Sequence, residues 1–319
     1  MYYWLIPLIA VGGLALVALI ASAICFFMIF FAPRRKETEE FPIPPGEEYL
    51  PYKDRMIEWT KQTRALGGEH HEITSHDGLK LTARYFPYGE GAPIEILFHG
   101  YKGNAERDLS GGVDRCHRLG HSAFIVDHRA AGGSDGRVIT FGAKESRDCL
   151  RWVDYVISNV DKDARIILTG ISMGAATVLI ASGEELPKNV IGVLADCGYT
   201  STRDIIKKVI RDMKLPAGLL YPFARLGALL FGRFDPDRLS PIGAMAKCKL
   251  PVIFFHGEAD GFVPCEMSVR NYEACASEKK RLVTTPGAAH GLCFPKDEEG
   301  YLDALREFFP DTKHPKKER

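Results

Sequence analysis

The 319-residue chain is 46% hydrophobic and 26% charged, enough apolar material to bury a sizeable core in one large domain or two small ones. Lys plus Arg number 41 and Asp plus Glu also 41, a balance without the basic footprint of a nucleic-acid binder. The 8 cysteines form no C-x-x-C pair and one, Cys25, lies inside an apolar run, so free thiols in a reducing compartment fit better than a disulfide framework or a zinc site.

Residues 2–32 carry no charged side chain, longer than the roughly 20 apolar residues a bilayer-spanning helix needs. A cleavable signal peptide would bring a basic start and a shorter apolar core, although Ala21-Ser22-Ala23 resembles a cleavage site. Arg34, Arg35 and Lys36 follow the span, which places the large C-terminal part in the cytoplasm by the positive-inside rule. Residues 37–48, charged and holding Pro42, Pro44 and Pro45, read as a linker that lifts the domain off the membrane. Residues 49–66, with Met56, Ile57 and Trp59 among charges, predict an amphipathic helix.

From Glu69 the pattern becomes strand-like, with 71–75 and 79–86 joined by His76-Asp77-Gly78 as an opening hairpin. Apolar runs at 94–98, 123–126, 166–169, 190–195, 252–255 and 282–284 then alternate with helical stretches at 106–119, 143–159, 173–185, 265–276 and 297–309. That alternation predicts an α/β fold, a mostly parallel sheet with helices on both faces. Between Ala195 and Leu250 the chain leaves the sheet, and this excursion includes the apolar stretch 215–231 broken by Pro216, Gly218, Pro222 and Gly227. A small helical cap over the carboxyl edge of the strands is the leading reading; extra core helices and a bilayer contact are the others.

Gly170-Ile171-Ser172-Met173-Gly174 lies between a buried strand and a helix, the setting in which a serine is presented on a tight turn with small neighbours. A serine hydroxyl needs a histidine to take its proton and an acid to orient that histidine. In the order Ser, acid, His, the downstream histidines are His256, His290 and His314. His314 falls in the basic tail, and His256 precedes the best acid candidate, which leaves His290 in its loop of small residues. Asp260 follows the preceding strand and is the favoured acid, with Asp196, at an earlier strand end, as the alternative. The backbone N–H groups of Met173 and Tyr101 are the expected oxyanion donors, and His99 is expected to brace the loop that carries Tyr101. The turn-rich loop 127–136 reads as structural, and His70, His71 and His76 on the hairpin make a poor metal site.

The strand-G-x-S-x-G-helix at Ser172, the His-Gly loop at His99, H-G-x-x-D-x-x-V-P at Asp260 and the late His290 together resemble the α/β-hydrolase superfamily over residues 69–310. Residues 127–136 are similar to a loop of its serine aminopeptidase and monoglyceride-lipase-like branch, with Ala130 and Ala131 departing from the usual Gly-His. The resemblance implies an eight-stranded sheet, a Ser-His-Asp triad and no cofactor. The organisation expected is an anchor at 1–33, a linker and amphipathic helix at 34–68, a hydrolase domain at 69–311 with its cap at about 199–247, and a basic tail at 312–319.

The function expected is a membrane-anchored serine hydrolase acting on a carboxylic ester, a small-molecule or lipid-like acyl substrate, with Leu219, Phe223 and Leu230 of the cap facing the acyl chain. No cofactor, metal or nucleic acid is expected to take part, and the membrane is engaged through the N-terminal helix. An amidase, peptidase or thioesterase would use the same triad, and a non-catalytic, membrane-anchored interaction module is the alternative from another class.

Overall fold

In the computed structural model, which describes residues 5–33 and 39–312, the chain opens with helix α1 (Leu5–Ile29). A 3-10 turn (Glu47–Tyr52) leads into α2 (Lys53–Leu66), which ends on Gly67 in the left-handed conformation. Then come β1 (Glu69–Thr74), β2 (Lys80–Phe86), β3 (Ile94–Phe98), α3 (Ala105–Leu119), β4 (Ser122–Val126), α4 (Glu145–Asn159), β5 (Ile166–Ile171), α5 (Met173–Ala181) and β6 (Val190–Asp196). An excursion of α6 (Thr202–Asp212), α7 (Ala217–Gly227), a π-helical turn (Ala228–Gly232) and α8 (Pro241–Met245) precedes β7 (Val252–Gly257), α9 (Glu266–Ala274), β8 (Lys280–Thr285), α10 (Cys293–Lys296) and α11 (Glu298–Phe308).

The eight strands form one sheet in the order β1-β2-β4-β3-β5-β6-β7-β8. β1, β2 and β4 pair antiparallel in that order, and every later pairing is parallel. The expected eight-stranded, mostly parallel sheet is therefore present. Its central strands are buried on both faces, so they read as continuous apolar runs instead of alternating ones. Ile96, Phe98, Leu168 and Phe254 pack with Trp152 of α4 and Val178 of α5 on one face. On the other, Leu97 and Ile125 meet Leu109 and Val113 of α3, and Ile167, Leu194 and Phe255 meet Tyr301 and Leu305 of α11.

One charge sits inside this apolar sheet. Glu95 on β3 accepts hydrogen bonds from His121 (2.8 Å) and Thr169 (2.8 Å) and pairs with the buried Arg115 of α3. Burial alone would raise the pKa of its carboxyl, but Arg115, His121 and Thr169 outweigh burial and hold it at about 2. A depressed folded-state value contributes stability above the ordinary carboxyl range that is lost as pH falls toward the folded value. Acid should therefore destabilise the protein between about pH 4.5 and pH 2, and Glu95→Gln, less stable at pH 7, should show a flatter melting-temperature profile across that window. Parallel profiles for the two proteins would assign the acid sensitivity elsewhere.

Within α1, Ala10–Ile29 is a 20-residue segment of mean hydropathy 2.5, long and apolar enough to cross a membrane. Its far end is built into the domain. Ser22 is fully buried, and a side chain at Gly227 of α7 would collide with the Ser22 carbonyl, so glycine is what lets the two helices touch. The rings of Phe26 and Phe231 lie 5.6 Å apart, and Phe30 packs edge-on to both Phe141 and Phe234. Beyond the helix the backbone N–H of Ile139 bonds the Phe30 carbonyl (2.8 Å), and that of Ala32 bonds the Arg137 carbonyl (2.9 Å).

Of the spacer expected at 37–48, residues 39–48 are described, and α1, which it was to hold away, is docked on the domain. The end of α1 is paired to the domain, and Tyr49, just past the prolines, is buried. Residues 34–38, with the basic cluster that set the expected orientation, and the tail 313–319 with His314 lie outside the described residues.

Candidate active site

Ser172 stands between β5 and α5 with φ 57° and ψ −113°, a backbone conformation that costs a side-chain-bearing residue about 1–3 kcal/mol. Three contacts enforce it. A side chain at Gly170 would run into the backbone of Gly174, one at Gly174 would run into the Phe98 carbonyl at the end of β3, and the Ser172 N–H donates to the Asp196 carbonyl of β6 (2.8 Å). The turn is thus pinned by two neighbouring strands, and its hydroxyl projects above the carboxyl edge of the sheet.

His290 lies in the loop between β8 and α10. Its Nε2 accepts from Ser172 Oγ at 2.9 Å while its Nδ1–H donates to Asp260 Oδ2 at 2.7 Å. Asp260 follows β7 and is held by four donors. Oδ1 accepts from the N–H groups of Phe262 (2.9 Å) and Val263 (2.8 Å), and Oδ2, besides accepting the hydrogen bond of the His290 Nδ1–H, lies 3.2 Å from His256 Nε2. Burial pushes its pKa up, but His256, His290 and the Val263 N–H outweigh burial and hold the carboxyl well below its usual range. It is an anion at any physiological pH, as a group that must keep His290 in the Nδ1–H tautomer needs to be.

His256, which precedes the acid in chain order, does not bond Ser172. Its ring, fully buried, bonds Ser268 Oγ at 2.6 Å through Nδ1 and the Val263 carbonyl at 2.8 Å through Nε2. Because Nε2 bonds a carbonyl it carries the proton, and the same N–H faces Asp260. His256 is a support for the acid, a role the sequence signals only by its spacing of four residues from Asp260. Phe262 packs edge-on against the His290 ring, centroids 5.1 Å apart, and limits its rotation.

Asp196, the alternative acid, does not bond His290. Its Oδ2 accepts from Tyr301 at 3.1 Å, Oδ1 has no hydrogen-bond partner, and burial raises its pKa. Met173 opens α5, so its N–H is one of the first-turn donors with no partner inside the helix. Tyr101 follows β3 in a loop braced as expected: His99 accepts from the His128 N–H (3.0 Å) at Nε2 and donates from Nδ1 to the Gly100 carbonyl (2.8 Å). Asp108 adds a bond from the Gly100 N–H at 3.3 Å. In loop 127–136, Asp127 accepts from the N–H groups of Ala105 and Gly133, and Arg129 pairs with Asp77 and Asp148, an assembly that braces the neighbouring turns. The hairpin histidines part company: His71 bonds Tyr155 and His76 lies beside Asp148.

A cavity of about 480 Å³ opens beside Ser172 and His290, within the range of small-molecule sites. Its walls are largely apolar and include Tyr49, Met56, Trp59, Tyr101, Leu194 and Phe294. The sequence reading missed Tyr49 and Trp59. Trp59 stacks on Phe294 (5.4 Å between centroids) and leaves no room for a side chain at Gly111 of α3, so α2 forms the outer wall of the site. Leu219, Phe223 and Leu230, expected to face the acyl chain, do not line this cavity. Leu219 is 62% exposed and Leu230 51%, because the inward face of α7 is taken by α1 and α6 and the cavity opens on the side of α2.

No family model matches the chain. Among curated proteins it is similar to YqkD of Bacillus subtilis, 26% identical over 316 residues that cover 94% of this chain and 96% of YqkD. Among solved structures it is similar to the Pyrococcus furiosus esterase Pf2001, with a TM-score of 0.64 at 22% identity, covering 88% of this chain and all of that one. It is also similar to the mouse alpha/beta hydrolase domain-containing protein 10, with a TM-score of 0.55 at 18% identity over 76% of this chain and 99% of that one. At these identities the structural likeness is one of fold.

Proposed function

We propose that this chain, which has the α/β-hydrolase fold, is a membrane-anchored serine hydrolase that cleaves a carboxylic ester through Ser172, His290 and Asp260. The observation that carries the proposal is the unbroken line from Ser172 Oγ to His290 (2.9 Å) to Asp260 (2.7 Å), set on a strained turn that only a few close contacts hold in place. A merely structural strand-to-helix turn would not need that strain, nor an ionised acid behind the histidine.

His290 removes the hydroxyl proton as Ser172 attacks the ester carbonyl, and Asp260 stabilises the imidazolium that forms. The negative charge that develops on the carbonyl oxygen is met by the N–H groups of Met173 and Tyr101, the former reinforced by the positive end of α5. The imidazolium then protonates the departing alkoxide, leaving an acyl-serine. Water, deprotonated by the same histidine, releases the acid. The apolar walls of the cavity favour an acyl or alkyl group over a charged one, and the esterase Pf2001 is a neighbour by fold. Cytoplasmic placement of the catalytic domain is part of the proposal, supported by Arg34, Arg35 and Lys36 after the span and by eight unpaired cysteines.

The test is labelling of the full-length protein in membranes with a fluorophosphonate probe. One equivalent of label on the parent, lost in Ser172→Ala, is expected. An intact parent that stays unlabelled, or an alanine variant that labels equally, would sink the enzyme reading.

A further inference from the structure

We infer that the outer face of the cap, α7 and the turn that follows it, is immersed in the bilayer beside α1, so that the domain sits partly within the leaflet. The inference rests on the reading of α1 as a membrane span. Its occupant is lipid, and the argument is one of length.

A helix rises 1.5 Å per residue, and the hydrocarbon core is about 30 Å thick. From Ser22 onward α1 is docked on the domain, through Ser22 against Gly227, Phe26 against Phe231 and Phe30 against Phe234. Within the segment long and apolar enough to cross, Ala10–Ile29, the part clear of the domain, residues 10–21, spans only about 18 Å. Any tilt shortens the reach further. The crossing segment itself runs past Ala21 to Ile29, so the hydrocarbon reaches the level where α7 packs.

The side chains at that level agree. On α1 the docked turns still present Ile24, Phe27 and Met28 outward, each more than half exposed. Beside them the cap exposes Leu219, Leu229, Leu230 and Phe231, with Met213 and Leu215 at the end of α6. Contact between Phe26 and Phe231 makes the two apolar surfaces continuous. An apolar area of this kind facing water is unusual for a soluble protein. Around it Arg211, Lys214 and Arg233 are exposed, placed to meet phosphate headgroups.

The arrangement also brings the catalytic cavity to the membrane surface. Tyr101, which lines that cavity, donates from its hydroxyl to the Ile29 carbonyl at 2.5 Å, and Lys102 reaches the Met28 carbonyl at 3.2 Å. The last carbonyls of the span are thus capped by the loop proposed to hold the oxyanion.

The test places a photoreactive benzoylphenylalanine, one position at a time, in the full-length protein in vesicles of phosphatidylcholine and phosphatidylglycerol carrying radiolabelled acyl chains. The positions are Val17 on the free part of α1, Leu219 and Leu230 on the cap, and Glu278 at the opposite, amino edge of the sheet, all exposed. Lipid label at Leu219 and Leu230 close to that at Val17, and on the order of tenfold above Glu278, is the expected result. Label at Val17 alone overturns the immersion of the cap and leaves the anchor standing. Label at none of the three removes the anchor reading and this inference with it.

Discussion

Replacing Ser172 by glycine or by alanine is expected to lower kcat/KM for ester hydrolysis by about 10⁶-fold in both variants, while the glycine variant melts above the alanine one. The activity loss is that of removing a nucleophile whose partners act only through it. The stability difference comes from the backbone. At φ 57° and ψ −113° a Cβ is crowded against its own peptide, and glycine escapes that cost. Glycine also has more freedom to lose on folding, so the net difference is about 1 kcal/mol, or some 2 °C in melting temperature for a chain of this size. Both variants lose the bond from Oγ to His290, so that term cancels between them. Residual activity above about one part in a thousand in either variant would remove Ser172 from the mechanism. An alanine variant that melts higher would mean that the turn is not strained by its side chain.

The same turn shows how far sequence alone could reach. Gly170 and Gly174 declare a strand-to-helix turn by type and spacing, because only small residues fit where each backbone crosses its neighbour. Chain order then isolates His290 and Asp260, since strand ends on one edge of a parallel sheet are forced together whatever the loops do. The cap was less legible. Leu219 and Leu230 are apolar, and an apolar helical stretch says that something covers it without saying what. Here the covering partner on the inner side is α1, some 200 residues earlier in the chain. Nor could Tyr49 and Trp59 be placed, because a proline-rich, charged approach suggests a spacer until the stacking of Trp59 on Phe294 is seen. His256 illustrates the third kind of gap: its residue type suggested a proton carrier, and only the bond to the Val263 carbonyl reveals a fixed donor behind Asp260.

Asp260→Asn should cost about 10⁴-fold in kcat/KM with the protein still folded, whereas Asp196→Asn should change it little. The asymmetry follows from the donors around each carboxylate. Oδ1 of Asp260 accepts two backbone N–H groups, from Phe262 and Val263, so an asparagine there must keep its carbonyl oxygen on that side. Its amide nitrogen then points at His290 Nδ1 and donates to it. His290 is forced to carry its proton on Nε2, facing Ser172 as a donor, and can no longer accept the hydroxyl proton. Turning the amide over would set its NH₂ against two N–H groups, which is no relief. The same NH₂ also confronts the Nε2–H of His256, so some loss of melting temperature should accompany the loss of rate. At Asp196 the side chain accepts one bond, from Tyr301, which an asparagine oxygen can take over while the amide occupies the side of the unpartnered Oδ1. The bond that ties Asp196 to the catalytic turn is donated by the Ser172 N–H to the Asp196 backbone carbonyl and survives the substitution. Steady-state rates of the two variants on one ester decide the matter. A large loss at Asp196 with Asp260→Asn still active would transfer the role of the acid from β7 to β6.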